Sequence, residues 1–310
     1  MSQYIIDWLL KGDPSIRWQV LNDIVLADIK TINKERNLLS ESGWGAKLLS
    51  YQDYEGTWAQ SLYNRKWIST TYSMLLLKRL GLPQNNKQAL KACSVLWEKG
   101  KYKDGGINYS FSYKYSETCV TGLILSVLSY FRFDEQNVKI LTQHLLKQQL
   151  PDGGWNCRSY KGDTHSSFHT TINVLEGLRE FEKNYHISHF DISASRDKAV
   201  EFLLRHHLFK SHRTGKIFDQ RMTRFSFPPR WHYDIMRVLD FFRECKIAKD
   251  LRMADAVEII SKKRNEKGLW PLQQKHPGKT FFDMEIPGKP SRWNTLRGMR
   301  IMKWWEDGKC

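Results

Sequence analysis

The chain has 310 residues, 41% of them hydrophobic and 13% aromatic, and its 49 Lys or Arg residues against 33 Asp or Glu residues give a formal net charge of +16. This composition supports a large buried core, and nine prolines without a low-complexity tract exclude a linker-rich or disordered chain. No run approaches the roughly 18 consecutive apolar residues of a membrane-spanning helix, so no transmembrane segment is predicted.

A seven-residue frame, Gln-x-x-x-Gly-x-Trp, recurs along the chain. It is complete at 52–58 (QDYEGTW) and 149–155 (QLPDGGW), and it has Arg in place of Gln at 264–270 (RNEKGLW). Looser copies at 101–107 and 211–217 keep the glycine and have Ile in place of Trp. The copies follow one another at steps of roughly 50 residues, and self-similarity at such a period is typical of a repeat architecture.

Apolar helical patterns flank each copy of the frame. The segment before it is amphipathic, as in VKILTQHLLKQQ, and the segment after it is apolar, as in KWISTTYSMLLL. The predicted unit is an outer helix, a glycine turn and an inner helix, because glycine tolerates the positive φ that ends a helix. Six inner helices are predicted to begin near Trp18, Trp67, Ser116, Phe168, Trp231 and Trp293. The sequence therefore predicts one all-α domain over residues 1–310, with a loop or lid at 183–197.

The N-terminus, MSQYIIDWLLKGD, has no basic leader and no small-residue cleavage site, so no signal peptide is predicted. The cysteines are odd in number and include no Cys-x-x-Cys pair, which favours reduced thiols over a disulfide framework. We therefore expect a cytoplasmic protein. The five cysteines are Cys93, Cys119, Cys157, Cys245 and Cys310.

The net charge predicts an anionic partner. A diphosphate, an acidic polysaccharide and an anionic membrane surface in peripheral contact all fit, and nucleic acid is the class we expect least. The alternative is that the lysines only solvate the outer helices. Charge alone does not choose among these interpretations.

The frame resembles the repeated motif of triterpene cyclases, and the paired-helix period is similar to that of protein prenyltransferase β subunits. The resemblance implies an (α/α)6 toroid, a ring of inner helices inside a ring of outer helices around an aromatic-lined central cavity. It also implies an enzyme acting on an isoprenoid or related lipid-like substrate. The motif supports the fold, whereas the function depends on the site.

The chain departs from the cyclases at their acidic motifs. The Asp-x-Asp-Asp run that supplies the proton in triterpene cyclases is missing, since Asp283 and Glu285 in FDMEIP lack a third acid. The Asp-Asp-x-x-Asp motif that binds magnesium diphosphate in other terpene enzymes is also missing. We therefore do not expect a hopanoid-type cyclisation.

The resemblance to prenyltransferases implies a zinc site. In that family an Asp-x-Cys pair on one inner helix and a His on a later one bind the metal. Here Glu117 and Cys119 open the third inner helix and His169 opens the fourth, with Glu standing where the family has Asp. Thiolate, imidazole and carboxylate ligands suit zinc, so these three residues are the expected ligands of a zinc ion.

The starts of the inner helices predict a polar active site. We expect Glu117, Cys119, His169, His232 and Asp234 to be catalytic and to converge on the central cavity, because they hold similar places in successive repeats. Helix N-termini would attract an anionic group there and lower the pKa of the Cys119 thiol. The alternative is a core cysteine, capping histidines and acids placed by the helix dipole.

A second set of residues is expected to bind the substrate. Three tryptophans could stabilise an isoprenoid carbocation by cation–π attraction, or could serve only as packing anchors. Arginines beside them could hold a diphosphate, or could pair with acids of adjacent repeats. The set is Trp67, Trp231, Trp293, Arg230, Arg292 and Tyr233. A further group, Cys157, Asp163 and His165, matches no strong zinc pattern and is expected to be a polar loop.

The sequence therefore favours a transferase or cyclase whose expected substrate is an anionic isoprenoid, such as a diphosphate. Two alternatives stay open. One is a toroid that binds an anionic ligand or partner without catalysis. The other is a carbohydrate-active α/α-barrel lyase or hydrolase, for which Tyr233 beside His232 would supply the acid and base.

Overall fold

The computed structural model describes residues 2–110, 112–185 and 192–307. Within these ranges the chain is helical and has isolated bridges but no β-strand, so the predicted all-α class is confirmed. The helices are α1 (Gln3–Leu10), α2 (Pro14–Val20), α3 (Ile29–Asn37), α4 (Gly43–Leu49), α5 (Thr70–Leu80), α6 (Lys87–Gly100), α7 (Thr118–Tyr130), α8 (Glu135–Lys147), α9 (Phe168–Asn184), α10 (Ile192–Arg205), α11 (Ile235–Glu244), α12 (Ala254–Lys262) and α13 (Arg292–Asp307).

The inner layer consists of α2, α5, α7, α9, α11 and α13. Direct contacts join α5 to α7, α7 to α9, α11 to α13, and α13 back to α2. The Trp18 indole N–H donates to the Leu80 carbonyl at 2.8 Å and joins α2 to the end of α5. An ion pair between Arg237 and Glu176, also at 2.8 Å, joins α11 to α9. The inner helices therefore follow one another around a closed ring.

The inner helices begin close to the predicted positions. α9 begins at Phe168, and α7 and α13 begin within two residues of prediction. α5 and α11 begin three and four residues late, because Trp67 lies in a 3-10 turn and Arg230 adopts a positive φ of 58° before Trp231. α2 begins four residues early, at Pro14, since proline suits the first position of a helix.

The tryptophans of the repeated frame tie each outer helix to the next inner helix. At Trp58, Trp155 and Trp270 the buried indole N–H donates to an outer-helix carbonyl at 2.7–2.8 Å. The backbone N–H of the same residues donates to a threonine hydroxyl near the start of the next inner helix at 3.0–3.1 Å. The acceptors are the carbonyls of Leu48, Leu145 and Ile260 and the hydroxyls of Thr70, Thr171 and Thr295.

The looser copy at 101–107 keeps half of this arrangement. The Ile107 N–H donates to the Thr121 hydroxyl at 2.9 Å, as in the tryptophan copies. The indole is replaced by a neighbour, because the Tyr109 hydroxyl donates to the Leu96 carbonyl at 2.9 Å. Tyrosine therefore satisfies the outer-helix carbonyl where tryptophan is missing.

The glycine turns lie at the end of the ring where the inner helices begin, as predicted. Four turns are held there by the bonds from their anchors to inner-helix threonines. In the fifth, the Phe218 ring lies 5.8 Å from that of Phe168, the first residue of α9. The glycines, all with positive φ between 68° and 103°, are Gly56, Gly105, Gly153, Gly215 and Gly268.

The expected loop or lid at 183–197 is described only at its ends, where α9 and α10 cover part of it. Residues 186–191 lie outside the described residues. None of the helices in the described ranges is long and apolar enough to cross a membrane.

Candidate functional site

A cavity of about 550 Å³ lies inside the ring, bounded by residues of all six inner helices, and is called the central cavity here. Most of its lining comes from the later turns of α2, α5, α7, α9 and α11. Among the described residues, ten Lys or Arg and five Asp or Glu side chains line it, so its charge is strongly positive. The basic residues are Arg36, Lys78, Arg79, Arg179, Lys183, Arg237, Arg243, Lys246, Arg297 and Arg300. The negative ends of these helices face the same space, which favours cations there.

The most tightly held carboxylate of the central cavity is that of Glu176 on α9. Arg237 donates to it through Nε and Nη2, each at 2.8 Å, and Arg79 donates through Nη2 at 2.8 Å. Burial would raise the pKa of Glu176, but the two guanidinium groups outweigh it and hold that pKa far below its usual range. Glu176 therefore joins α5, α9 and α11 as an ionised carboxylate.

One face of α13 presents donors to the central cavity. Trp293, Arg297 and Arg300 are spaced four and three residues apart, so they share one side of the helix, and all three line the cavity. They are called the donor face below. Trp293 is 2% exposed and Arg300 7% exposed, yet neither Trp293 Nε1 nor Arg300 Nε has a hydrogen-bond partner in the described part of the chain. Buried donors are normally satisfied, and the Arg300 guanidinium is otherwise paired through Nη2 with Asp23 and Gln19.

Arg297 also has donors to spare. Its Nη2 lies 3.8 Å from Asp234 Oδ1 and its Nε lies 3.9 Å from Asp240 Oδ2, beyond hydrogen-bonding distance. Its Nη1 donates to the Ser226 carbonyl at 3.3 Å. The guanidinium is thus buried and charged, with nearby acids that neutralise it only at a distance.

Aromatic rings cover part of the same cavity. Trp18, Tyr130, Phe227 and Phe241 line it with Trp293, whose ring stacks on Phe227 at 4.0 Å. The prediction of an aromatic-lined central cavity is therefore only partly right, because charged side chains outnumber the rings. The difference comes from arginines on the inner helices that point into the cavity. The repeat pattern does not reveal which side chains point inward.

The buried acids of the central cavity are ionised. Arg243, Arg300 and Arg297 outweigh burial and lower the pKa of Asp240, and Lys78 and Arg179 do the same for Glu180. With Glu176, three carboxylates are held in their charged form. They have no proton to donate at neutral pH, so none of these three carboxylates is suited to protonate a double bond.

The five predicted catalytic residues do not line the central cavity in the described structure. They lie where the inner helices begin, with Asp234 beside the cavity residues Arg237 and Arg297. Asp234 caps α11, accepting the Arg237 N–H at 2.7 Å, and burial raises its pKa. The five residues therefore do not converge on this cavity, because most of its lining comes from later turns of the inner helices.

His169 and His232 form the first group. Their rings lie 5.7 Å apart, and His169 Nδ1 accepts the Tyr233 N–H at 2.8 Å. His232 stacks between Trp231 at 3.8 Å and His276 at 3.9 Å. Burial lowers the pKa of His169 to about 4 and that of His232 to about 3, so both imidazoles are neutral at pH 7.

Glu117 and Cys119 form the second group, at the start of α7. Glu117 is the N-cap residue and makes no side-chain capping bond, and burial raises its pKa. The Cys119 thiol hydrogen-bonds to that of Cys157, and this contact and burial raise the pKa of Cys119. The predicted lowering of that pKa is wrong, because a neighbouring thiol and burial outweigh the helix N-terminus.

The expected zinc ligands do not form a metal site. Within the described ranges, no three His, Cys, Asp or Glu side chains are grouped so that they could hold a metal ion. Glu117 and Cys119 lie beside Cys157, while His169 lies among aromatic rings. In the described structure Glu117, Cys119 and His169 are therefore not grouped as zinc ligands, and metal analysis tests whether zinc binds.

The predicted substrate-binding residues are distributed over several places. Trp293 lines the central cavity, whereas Trp67 and Arg230 line a cavity of about 40 Å³ beneath residues 275–285. The Arg230 guanidinium lies 5.3 Å from the centre of the Trp67 ring, and the Trp67 indole donates to the Pro277 carbonyl at 2.8 Å. These two residues therefore hold that segment against the ring.

The other members of this set make structural contacts. Trp231 packs against the histidine rings. Tyr233 is 2% exposed and its hydroxyl donates to the Leu208 carbonyl at 2.6 Å. The Arg292 guanidinium lies 4.5 Å from the centre of the Trp8 ring. None of the three lines either described cavity.

The polar-loop prediction holds for two of its three residues. Asp163 pairs with Arg158 at 3.2 Å and His165 is exposed. Cys157 instead faces Cys119. Sequence reasoning missed this contact because the two cysteines lie in different repeats.

Sequence reasoning also missed most of the donor face. Its signal was present in RWNTLRGMRIM, where Arg297 and Arg300 follow Trp293 by four and seven residues on an otherwise apolar helix. Basic residues on the buried side of a helix are rare unless they meet acids or a ligand. Arg79 and Arg237, within apolar helices, carry the same signal.

Comparisons with known proteins show that the fold of this chain is similar to that of solved structures. No protein-family model matches the chain, and no curated protein matches it. Among solved structures, the chain is similar to the type II terpene cyclase MstE from Scytonema, at 16% identity and a TM-score of 0.48, over 94% of this chain and 88% of that one. It is also similar to a variant of MstE in complex with geranylgeranyl dihydroxybenzoate, at 15% identity and a TM-score of 0.47, over 94% and 87% of the two chains. At these values the likeness does not extend to site or substrate.

Proposed function

We propose that this chain binds a small anionic ligand, of the class of isoprenoid diphosphates and related lipid-like anions, in the central cavity. The observation that carries the proposal is the donor face of α13, where buried donors of Trp293 and Arg300 have no partner in the described chain. An unsatisfied buried donor costs about 1–3 kcal/mol. An anion with several oxygens would satisfy these donors together.

Charge selects an anion over a neutral polar ligand. Basic side chains outnumber acidic ones two to one in the cavity lining, and Arg297 makes no short bond to any carboxylate of the described residues. Hydrogen bonds between guanidinium groups and phosphate oxygens are among the strongest in proteins. A diphosphate beside α13 would therefore be held by Arg297 and Arg300, with Trp293 Nε1 as a neutral donor.

The aromatic part of the lining would hold the apolar portion of the ligand. Trp18, Phe227 and Phe241 offer ring surface in the same space as the cations, and a cavity of about 550 Å³ falls in the range of small-molecule sites. The resemblance of the repeated frame to that of isoprenoid enzymes points to an isoprenoid tail. For a transferase or cyclase, these cations would contribute neutralisation of the charge on a departing diphosphate.

Calorimetric titration at fixed ionic strength tests the proposal with three ligands: geranylgeranyl diphosphate, inorganic pyrophosphate and geranylgeraniol. We expect geranylgeranyl diphosphate to bind most tightly, with pyrophosphate weaker and the alcohol weakest. Arg297→Gln should weaken diphosphate binding about tenfold or more, since a charge-assisted bond contributes about 1.5–3 kcal/mol.

Arg292→Gln is the matched control, because Arg292 lies on the same helix over Trp8, outside the cavity lining. Its affinity should match that of the unchanged protein. Equal affinity for the alcohol and the diphosphate, or equal loss in both variants, would contradict an anion site at the donor face.

The carbohydrate-lyase alternative has less support. It requires a tyrosine or histidine positioned to move a proton, but Tyr233 is buried and its hydroxyl donates to a backbone carbonyl. Binding without catalysis remains compatible with the same cavity. Incubation with geranylgeranyl diphosphate followed by product analysis distinguishes it from a transferase or cyclase.

A further inference from the structure

Glycines hold α7 and α9 close together. A methyl group on Gly122 would lie 2.9 Å from the Asn173 carbonyl oxygen, and one on Gly177 would lie 2.6 Å from the Gly122 carbonyl oxygen. Both distances are too short for a real side chain. The two helices therefore pack backbone to backbone at this crossing, and their preceding turns face each other.

Two cysteines meet in front of this crossing. Cys119 lies one turn before Gly122, and Thr170 lies one turn before Asn173. The Cys157 N–H donates to the Thr170 hydroxyl at 3.3 Å, so the turn that carries Cys157 is held against the start of α9. The thiols of Cys119 and Cys157 share a hydrogen bond and are called the thiol pair below.

The thiol pair differs from the other described cysteines. Cys119 and Cys157 are both half-buried, whereas Cys93 is fully buried. Burial raises the pKa of Cys93, and it raises that of Cys245 to about 12. Hydrogen bonds from Cys119 and Thr170 instead lower the pKa of Cys157. At neutral pH Cys157 is therefore the cysteine that presents a thiolate to an oxidant.

We propose that the thiol pair is a modification site, at which a peroxide converts Cys119 and Cys157 to an intramolecular disulfide. The Cys157 thiolate attacks one oxygen of hydrogen peroxide, the O–O bond breaks, and the departing hydroxide takes a proton to leave as water. Cys157 is then a sulfenic acid. The Cys119 sulfur attacks the Cys157 sulfur, and the second oxygen leaves as water with the Cys119 proton. Both sulfurs are oxidised by one electron each, and the peroxide is reduced to two waters.

The disulfide would tie the start of α7 to the turn before α9. It would close a loop of roughly 40 residues, long enough to raise the melting temperature on the order of 5 °C. Neither cysteine lines the central cavity in the described structure. The proposal is therefore independent of the proposed function, and ligand binding tests that function separately.

Peptide mapping of the full chain tests the disulfide. The protein is treated with hydrogen peroxide, alkylated without reduction and digested with trypsin. We expect peptide 115–132 joined to peptide 148–158, a mass that disappears after reduction. The oxidised protein should melt several degrees higher, and Cys119→Ser should abolish both effects and leave Cys157 as a sulfenic acid that dimedone traps.

Cys245→Ser is the matched control, since Cys245 is half-buried and packs beside the core. It should still form the linked peptides and show the same rise in melting temperature. Linked peptides that join other cysteines would overturn the proposal. So would a Cys119→Ser variant that shows the same rise in melting temperature after oxidation as the unchanged protein.

Discussion

Replacing Glu176 by glutamine tests whether the cations of the central cavity need a counter-charge. Glu176 accepts three hydrogen bonds of 2.8 Å from Arg79 and Arg237, and the Arg237 side chain is only 1% exposed. Glutamine is nearly the same size but leaves both guanidinium groups without their carboxylate. Removing one partner of a buried ion pair costs about 3–5 kcal/mol, so we expect a loss of that size in the free energy of unfolding.

The assay is urea unfolding followed by circular dichroism, with Glu182→Gln as the matched control. Glu182 is also on α9 and pairs with Arg196 at 2.7 Å, but its side chain is 32% exposed. An exposed pair contributes at most about 1 kcal/mol, so the control should lose little. At about 2 °C per kcal/mol in a chain of this size, the two variants should differ by several degrees in melting temperature.

Anion addition extends the same test. The Glu176→Gln cavity carries one more net positive charge, so pyrophosphate should stabilise this variant more than the unchanged protein. Equal stability of the Glu176→Gln and Glu182→Gln variants would refute the view that Glu176 is a buried counter-ion.

Three further results are expected. Trp155→Phe removes an indole bond to a buried carbonyl and should lower the free energy of unfolding by about 1–3 kcal/mol; a change within about 0.5 kcal/mol would deny the frame its structural role. Burial lowers the pKa of His169, His232 and His276 to about 4, 3 and 4, so the unfolded chain binds these protons more readily. Stability from these residues is therefore present above about pH 6.5 and is lost as pH falls toward 4, and a urea midpoint that does not change from pH 7 to pH 5 would contradict their burial as neutral groups. Metal analysis of protein prepared without chelator should find less than stoichiometric zinc, because the expected ligands are not grouped, and one zinc per chain would reverse that conclusion.

The repeat could be read from the sequence because its determinants are local. A glycine with positive φ and a tryptophan two residues later are fixed by the turn, and the indole reaches a carbonyl ten residues earlier, as Trp155 reaches Leu145. The number and order of the helices follow from these anchors. The observed helix starts differ from the predicted ones where a local backbone feature intervenes, such as the positive φ of Arg230.

The site could not be predicted in the same way, because it depends on which side of each helix faces the ring and at what height. Equivalent places at helix starts put Glu117 and His169 near the glycine turns rather than in the cavity. Most of the cavity lining comes from later turns, and its residues Arg237 and Arg297, near the starts of α11 and α13, follow no repeated motif. Contacts between residues of different repeats, such as the thiol pair, cannot be predicted by aligning the repeats with one another.

A crystal structure of the chain with geranylgeranyl diphosphate tests the central claim most directly. We predict that the diphosphate lies in the central cavity, with oxygens about 2.7–3.2 Å from Arg297, Arg300 and Trp293 Nε1 and the tail against the aromatic rings. A ligand bound beside His169 and His232 instead would contradict this claim. So would a central cavity that holds only water at a saturating concentration of the ligand.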